Sequence, residues 1–385
     1  MNILINALSA KQGGGQTYVR NLVANAPKAH EATIYVIAPP SLVFPSSENV
    51  IRLAVPQAFT NNPYVRTIWE ALALPKLLQR LRIDVLFCPG GSVPMWLPKR
   101  CKVVTTFQNM MPFDHKQRAK YPFGLMRVRN WILERTLLSG MRRSDLVIFI
   151  SEFAKSVIES RLNKRRIRYA VIPHGIDSRF RMQHGLSKPS WLPDKDYFLY
   201  VSTLDVYKAQ IEVVEAYQSF RKSDAAAPKL VLVGPEYKPY GDKVRATVAK
   251  LGLQDDVLFI GNVPHGDLPA AYQNARINIF ASETENCPFI LLEALCAGRP
   301  VLVSSRPPMP EFGGDAVVYF DPSSSDDLAY KLSAVNSSAP LMAELGRKAL
   351  VQSDRYQWEE TGRRTWRELI QVGGATRRDA QALAA

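Results

Sequence analysis

The chain alternates short apolar runs with stretches of helical period, and it does so in two successive series. Apolar runs bounded by turn residues are the mark of strands buried on both faces, and helical crossovers between them impose parallel pairing. In the first series, strands are expected at Ile3–Ala7, Thr33–Ala38, Asp84–Cys88, Lys102–Phe107, Leu146–Ile150 and Tyr169–Ile172, with helices near 16–26, 64–82, 121–140 and 152–162. The aperiodic stretch His174–Asp194, with Gly175, Gly185, Pro189 and Pro193, reads as a linker. A second series follows, with strands at Tyr197–Ser202, Lys229–Gly234, Asp256–Ile260, Ile277–Ala281, Pro300–Ser304 and Ala316–Phe320. Helices are expected there at Gln210–Arg221, Asp326–Val335 and Leu341–Asp354. The spacing thus predicts an α/β chain of two doubly wound, Rossmann-like domains, residues 1–184 and 185–357. A helix over 358–372 follows, packing back on the first domain, and the last dozen residues fray. Two such domains in series are expected to face each other across a ligand cleft.

The 385 residues carry a formal net charge of +14, but unevenly. Residues 1–184 hold 27 Lys and Arg against 10 Asp and Glu, so the basic character belongs wholly to that half. Such asymmetry points to an anionic partner, an anionic membrane surface or a polyanion. Within it, residues 115–143 carry eight cations against Glu134 alone, and Lys164, Arg165, Arg166 and Arg168 add a second cluster. On a helix, Met126, Leu133, Leu137 and Met141 form one apolar stripe, and Leu125, Val128 and Ile132 another, with Trp131 beside them. Two readings stand open: a basic amphipathic helix lying on anionic lipid, or a core helix with a solvated basic face. No apolar run reaches the ~20 residues that span a bilayer. The start, Met1–Asn6, reads as a buried strand, so a cytoplasmic chain is expected, peripheral to the inner membrane face at most. Cys88, Cys101, Cys287 and Cys296 have no C-x-x-C spacing and are expected as buried thiols. Asp194-Lys195-Asp196 reads as a solvated turn; no metal and no other cofactor are expected.

The densest chemistry lies between Glu285 and Val301. A strand ends at Ala281, a polar loop Ser282–Cys287 follows, and Pro288 suits the first position of a helix that Gly298 caps and Pro300 stops. Amides at Cys287, Phe289 and Ile290, with Asn286 and Pro288 shaping the loop, form an anion site suited to a diphosphate. Glu285 stands before it and Glu293 lies within the helix. A glycine-rich turn, Lys11-Gln12-Gly13-Gly14-Gly15, follows the first strand and lets backbone approach phosphate or sugar through Gly14 and Gly15.

Glu285–Glu293 with its following Ala-Leu-Cys-Ala-Gly-Arg-Pro-Val resembles the E-x7-E segment of retaining GT-B glycosyltransferases of family 4. The resemblance implies that Glu285 contacts the donor sugar and Glu293 the nucleotide ribose. Where the family has Glu-Gly-Phe-Gly, this chain has Glu285-Asn286-Cys287-Pro288. Ser202-Thr203 and Lys208 fall where the family has Gly-Arg-Leu-x-x-x-Lys. Lys208 is the expected diphosphate cation, and Thr203 replaces an Arg. Asn262 and Val263 resemble the turn near the base. Gln108-Asn109 stand where many relatives carry His-Asp, a form similar to enzymes that build bacterial surface polysaccharides from mannose-type sugars. Those amides would hold acceptor hydroxyls. The resemblance therefore implies a metal-independent hexosyltransferase with a nucleotide-sugar donor, best a GDP-sugar, and a lipid-linked or glycan acceptor. Alternatives are a UDP-sugar donor, a nucleotide-sugar epimerase of the same fold, and a basic nucleic-acid-binding protein. The last has no aromatic platform or zinc module behind it.

Overall fold

A computed structural model describes residues 1–382 apart from 12, 122–123, 163–166, 184 and 224–226. Gln12 and the cluster at 164–166 therefore lie outside the described residues. The chain divides into two compact units. The first comprises residues 1–113, 124–175 and 357–385; the second comprises 114–123 and 176–356.

The first unit is built on strands β1 (Asn2–Asn6), β2 (Thr33–Ile37), β3 (Val50–Arg52), β4 (Val85–Cys88), β5 (Lys102–Phe107), β6 (Leu146–Phe149) and β7 (Arg168–Val171). All pair in parallel, in the order β3-β2-β1-β4-β5-β6-β7. Alternate strand residues serve opposite faces. Leu4, Leu86, Cys88 and Val103 pack with Leu74 and Leu78, whereas Phe107, Val147 and Phe149 pack with Leu137 and Met141. The other face takes Tyr18, whose ring meets Phe87 edge-on. The helix Trp358–Ala382 packs there beside the helix Gly14–Ala24. It is tied in by Trp366 Nε1 to Leu22 O at 2.9 Å and Thr361 Oγ1 to Pro173 O at 2.8 Å. His174, expected in a linker, is 1% exposed, with its ring 4.7 Å from that of Tyr18 and 5.5 Å from that of Trp358.

The second unit holds β8 (Tyr197–Val201), β9 (Lys229–Val233), β10 (Val257–Gly261), β11 (Ile277–Phe280), β12 (Val301–Ser304) and β13 (Val318–Phe320). These are parallel in the order β10-β9-β8-β11-β12-β13. That is the dinucleotide-binding order, and its direction reverses between β8 and β11, where ligands of such sheets bind beyond the strand ends. The expected fold class, two Rossmann-like α/β units, is the observed one. The aperiodic residues 176–194 belong to the second unit, anchored where Ile176 N–H donates to Tyr356 O. The segment 114–123, placed in the first domain by its sequence neighbours, also belongs to the second unit.

Candidate functional site

The switch point of the second unit is shaped by two loops. One leaves β8 through Ser202 and Thr203 and ends in the short 3-10 turn Val206–Lys208. Asp205 caps that turn, its carboxylate accepting from Val206 N–H at 2.7 Å. Gly234, at φ +139°, lets the end of β9 come close, since a Cβ there would lie 2.2 Å from Ser202 O. Gln210 Nε2 donates to Ser202 Oγ (2.8 Å) and Thr203 O (3.0 Å), so the loop is held from behind. Ala209 takes a left-handed conformation, φ +54°, uncommon for a side chain with a Cβ. It turns the chain sharply after Lys208 into the helix Gln210–Ser223.

The other loop, Ser282–Cys287, leaves β11. Glu283 N–H donates to Tyr207 O at 2.8 Å, which joins the two loops. Lys208 pairs with Glu285 across the switch point. Ser282 Oγ donates a second hydrogen bond to the same Glu285 oxygen at 2.8 Å. The Lys208 side chain is 6% exposed and that of Glu285 18%. Phe280, at the end of β11, places its ring 5.2 Å beneath the ammonium. Burial works most strongly against the charged lysine, but Glu285, together with Tyr207 and Asp205, outweighs it and raises the Lys208 pKa. The result is an ion pair beyond the strand ends, its lysine buried and its carboxylate largely so.

The helix after this loop runs Phe289–Cys296, one residue later than its sequence suggests, with Pro288 as the cap. Phe289 N–H already donates to Cys287 O at 3.0 Å, and Pro288 has no N–H. Of the amides expected at Cys287–Ile290, that of Phe289 is thus spent within the loop, and in the first turn those of Ile290 and Leu291 have no intrahelical acceptor. Asn286 and Cys287 are buried, and all four cysteines are buried reduced thiols. Gly298 closes the helix at φ +63°, and its carbonyl lies against Gly346, where a Cβ would sit 2.4 Å away.

Glu293 lies four residues into the helix, about 6 Å along the axis from Phe289. Its carboxylate accepts from Tyr272 OH at 3.3 Å and faces His265 Nε2 at 3.6 Å. Burial raises its pKa, opposed by His265 and Tyr272. His265 stands just beyond the turn Asn262-Val263 that follows β10, so that turn reaches Glu293 through it. Phe180 packs edge-on against both His265 and Tyr272. Thus the second unit brings together Lys208 with Glu285, and His265 and Tyr272 with Glu293, with Asn262-Val263 preceding His265 in the chain. Sequence reasoning did not single out Gln210, Ser282, His265 or Tyr272: His265 and Tyr272 meet Glu293 only through tertiary packing, while Ser282 lies three residues before Glu285 in the same loop.

The remaining candidates lie in the first unit. Gly14 and Gly15 are the opening residues of a helix, and Gly13, at φ +63°, caps it. Gln108 Nε2 donates to Pro89 O at 2.9 Å, and Asn109 Oδ1 accepts from Met111 N–H at 3.2 Å. Asn109 thus performs turn chemistry after β5, while Gln108 ties that loop to the one that follows β4. Asp196 of the D-x-D sequence pairs with Arg276 at 3.0 Å. Among the described residues, no group of three or more His, Cys, Asp or Glu is placed to hold a metal ion.

Residues 12–180 match the family model for Glycosyltransferase Family 4, and residues 186–351 match that for Glycosyl transferases group 1. The chain is 26% identical over 280 residues to the O-antigen chain mannosyltransferase B of Escherichia coli, covering 69% of each. It is 30% identical over 200 residues to a GDP-mannose-dependent alpha-(1-6)-phosphatidylinositol monomannoside mannosyltransferase of Mycobacterium tuberculosis. That match spans 47% of this chain and about half (50%) of the relative. Among solved structures, the sucrose-phosphate synthase from Thermosynechococcus elongatus superposes with a TM-score of 0.74 at 17% identity. It covers 97% of this chain and 100% of that one, a likeness of fold.

Proposed function

The chain belongs to the GT-B glycosyltransferases of the group 1 and family 4 type, and from that premise we propose that it moves mannose or 6-deoxymannose from a GDP-sugar, with retention, to a lipid-linked or polysaccharide acceptor in bacterial surface glycan assembly. The observation that carries this reading is the buried Lys208–Glu285 pair at the switch point, beside the first turn of the helix Phe289–Cys296. A diphosphate lying on that turn meets the Ile290 and Leu291 amides and the positive end of the helix dipole. Lys208 then exchanges part of its interaction with Glu285 for the phosphate, and Glu285 turns to the donor sugar. Glu293 accepts from the ribose hydroxyls, steadied by Tyr272.

In the transfer, the bond from the sugar's anomeric carbon to the phosphate oxygen breaks, and the acceptor oxygen bonds to the same face. The acceptor's proton passes to the departing diphosphate. Stabilising that diphosphate by Lys208 and the amides is the protein's main contribution. The donor choice is supported by the Gln108-Asn109 segment and by the mannosyltransferase names of the relatives.

An anionic membrane as the place of the acceptor is supported by the helix Leu125–Arg142. Leu137 and Met141 are buried in the core, while Val128, Trp131 and Ile132 are 50–55% exposed. Arg135 stacks on Trp131 at 3.7 Å, and Arg129 and Arg142 are exposed on the same helix. Right-handed crossovers put the helix Pro63–Leu72 on the same side of the sheet. There Tyr64, Ile68 and Leu72, four residues apart, are all exposed. Apolar side chains ringed by cations fit an anionic bilayer surface.

Thermal-shift measurement with GDP, UDP and their sugars tests the donor. GDP and GDP-mannose are expected to stabilise the protein; a response to UDP-sugars alone would assign the other donor. Turnover of GDP-mannose is expected to vanish in Glu285→Ala with folding intact. Flotation with vesicles containing anionic lipid is expected to weaken in a Trp131→Ser, Ile132→Ser variant. No flotation of the wild type at low salt would remove the membrane.

A further inference from the structure

The segment 114–123 lies in sequence between two pieces of the first unit but belongs to the second. Its short helix, His115–Lys120, is capped by Asp114, which accepts from Gln117 N–H at 2.9 Å. The two residues at its end reach both loops of the switch point. Lys120 pairs with Glu283, whose side chain is only 9% exposed and whose backbone is bonded to Tyr207. Tyr121 OH donates to Asp205 Oδ1 at 2.8 Å, the same oxygen that caps the turn ending in Lys208.

Tyr121 is itself seated. It is 6% exposed, and its ring meets that of Tyr237 edge-on at 6.1 Å. Tyr237 N–H in turn donates to Leu204 O at 2.9 Å, next to Asp205. Burial and the Asp205 carboxylate both raise the Tyr121 pKa, so the phenol remains a hydrogen-bond donor throughout the physiological range. Asp205 is raised chiefly by burial, against the opposing bond from Tyr121. A half-buried carboxylate that accepts two hydrogen bonds is costly to leave with one.

We propose that Lys120 and Tyr121 are positioning residues for the Lys208–Glu285 pair, each holding one of the two loops that present it. Tyr121 fixes the turn carrying Lys208 through Asp205, and Lys120 fixes the loop carrying Glu285 through Glu283. Each acts on the pair through the loop that carries it. A chemical centre whose members stand on two separate loops needs both loops held, since displacement by about 1 Å costs about 100-fold in rate. That these loops form a transfer centre rests on the function proposed above; the positioning does not.

The test is hydrogen exchange by mass spectrometry on the full chain, with Tyr121→Phe, Lys120→Met and the charge swap Lys120→Glu with Glu283→Lys. Peptides covering 204–208 in Tyr121→Phe and 283–286 in Lys120→Met are expected to exchange about tenfold faster, with the strands of the second unit unchanged. GDP-mannose turnover is expected to fall about tenfold in kcat, with KM moved less. The charge swap is expected to restore both readouts to within about threefold of wild type, because the pairing and not either charge alone is what acts. Unchanged exchange at both loops would overturn the proposal. So would a general rise across β8–β13, which would mean simple loss of stability, or a swap that restores neither readout. If the wild type turns over no nucleotide sugar but the exchange pattern holds, the proposed function falls and the positioning stands.

Discussion

Removing Lys208 leaves the Glu285 carboxylate, in the loop after β11, with the hydrogen bond from Ser282 at 2.8 Å but without its cation. Breaking a buried ion pair from one side costs about 3–5 kcal/mol, because the surviving charge is left desolvated. Glu285 is 18% exposed and keeps the Ser282 bond, so the cost of Lys208→Met falls at the low end, about 3 kcal/mol. Glu285→Gln leaves Lys208, 6% exposed, over the Phe280 ring with only an amide opposite, and is expected to cost about 2 kcal/mol. The double variant Lys208→Met, Glu285→Gln removes both charges and is expected within about 1 kcal/mol of wild type. The pair then shows a coupling of several kcal/mol, far from additivity. Scanning calorimetry is the assay, read on the transition of the second unit. For a unit of this size, about 3 kcal/mol corresponds to a drop of about 6–12 °C for Lys208→Met, which the second substitution largely reverses. Additive losses in the double variant would refute the buried pair.

Three further outcomes follow from the same physics. His174 is held neutral by burial, its pKa lowered to about 3, so unfolded chains take up its proton first as pH falls below about 6.5. Stability tied to it is intact above that value, about 2 kcal/mol is lost by pH 5, and the loss continues towards pH 3; the slope of melting temperature against pH is expected to flatten in His174→Phe. Glu293 is pushed the other way, with burial raising its pKa, so its ionised form weakens the unliganded fold as pH rises through that raised value. Glu293→Gln is therefore expected to raise the melting temperature at pH 7, less so in acid, while weakening GDP binding in titration calorimetry. Gly234→Ala is expected to destabilise the second unit by more than about 2 kcal/mol, since its Cβ meets Ser202 O at φ +139°.

The central strands were legible because parallel strands buried on both faces read as unbroken apolar runs, and Lys102–Phe107 coincides with its expected bounds. The edge strand Val50–Arg52 escaped notice: three residues, two of them exposed, leave no pattern. The stretch 64–82 reads as one helix, but it breaks between Leu72 and Leu74, where Pro75 starts the next helix. Pro75 was the available signal. The tail helix runs on to Ala382, where the sequence suggested fraying. In the site, Lys208 and Glu285 stand out because their loops follow strands. His265 and Tyr272 do not, since only the fold brings them to Glu293, and Ser282 does not because a loop serine three residues from Glu285 can equally turn to backbone or water. Nothing local tells which sheet a short surface helix such as His115–Lys120 will join. The bonded Phe289 amide has a similar cause: whether it is spent on Cys287 depends on backbone angles at Pro288, φ −81° and ψ 83°, that residue identity leaves open.

The account turns on where a nucleoside diphosphate binds, and a crystal structure with GDP answers that directly. The diphosphate is expected within hydrogen-bonding reach of the Ile290 and Leu291 amides and of Lys208 Nζ, with the ribose against Glu293. GDP lodged instead on the Gly13–Gly15 turn of the first unit, with Lys208 and Glu285 still paired and remote from it, would contradict it.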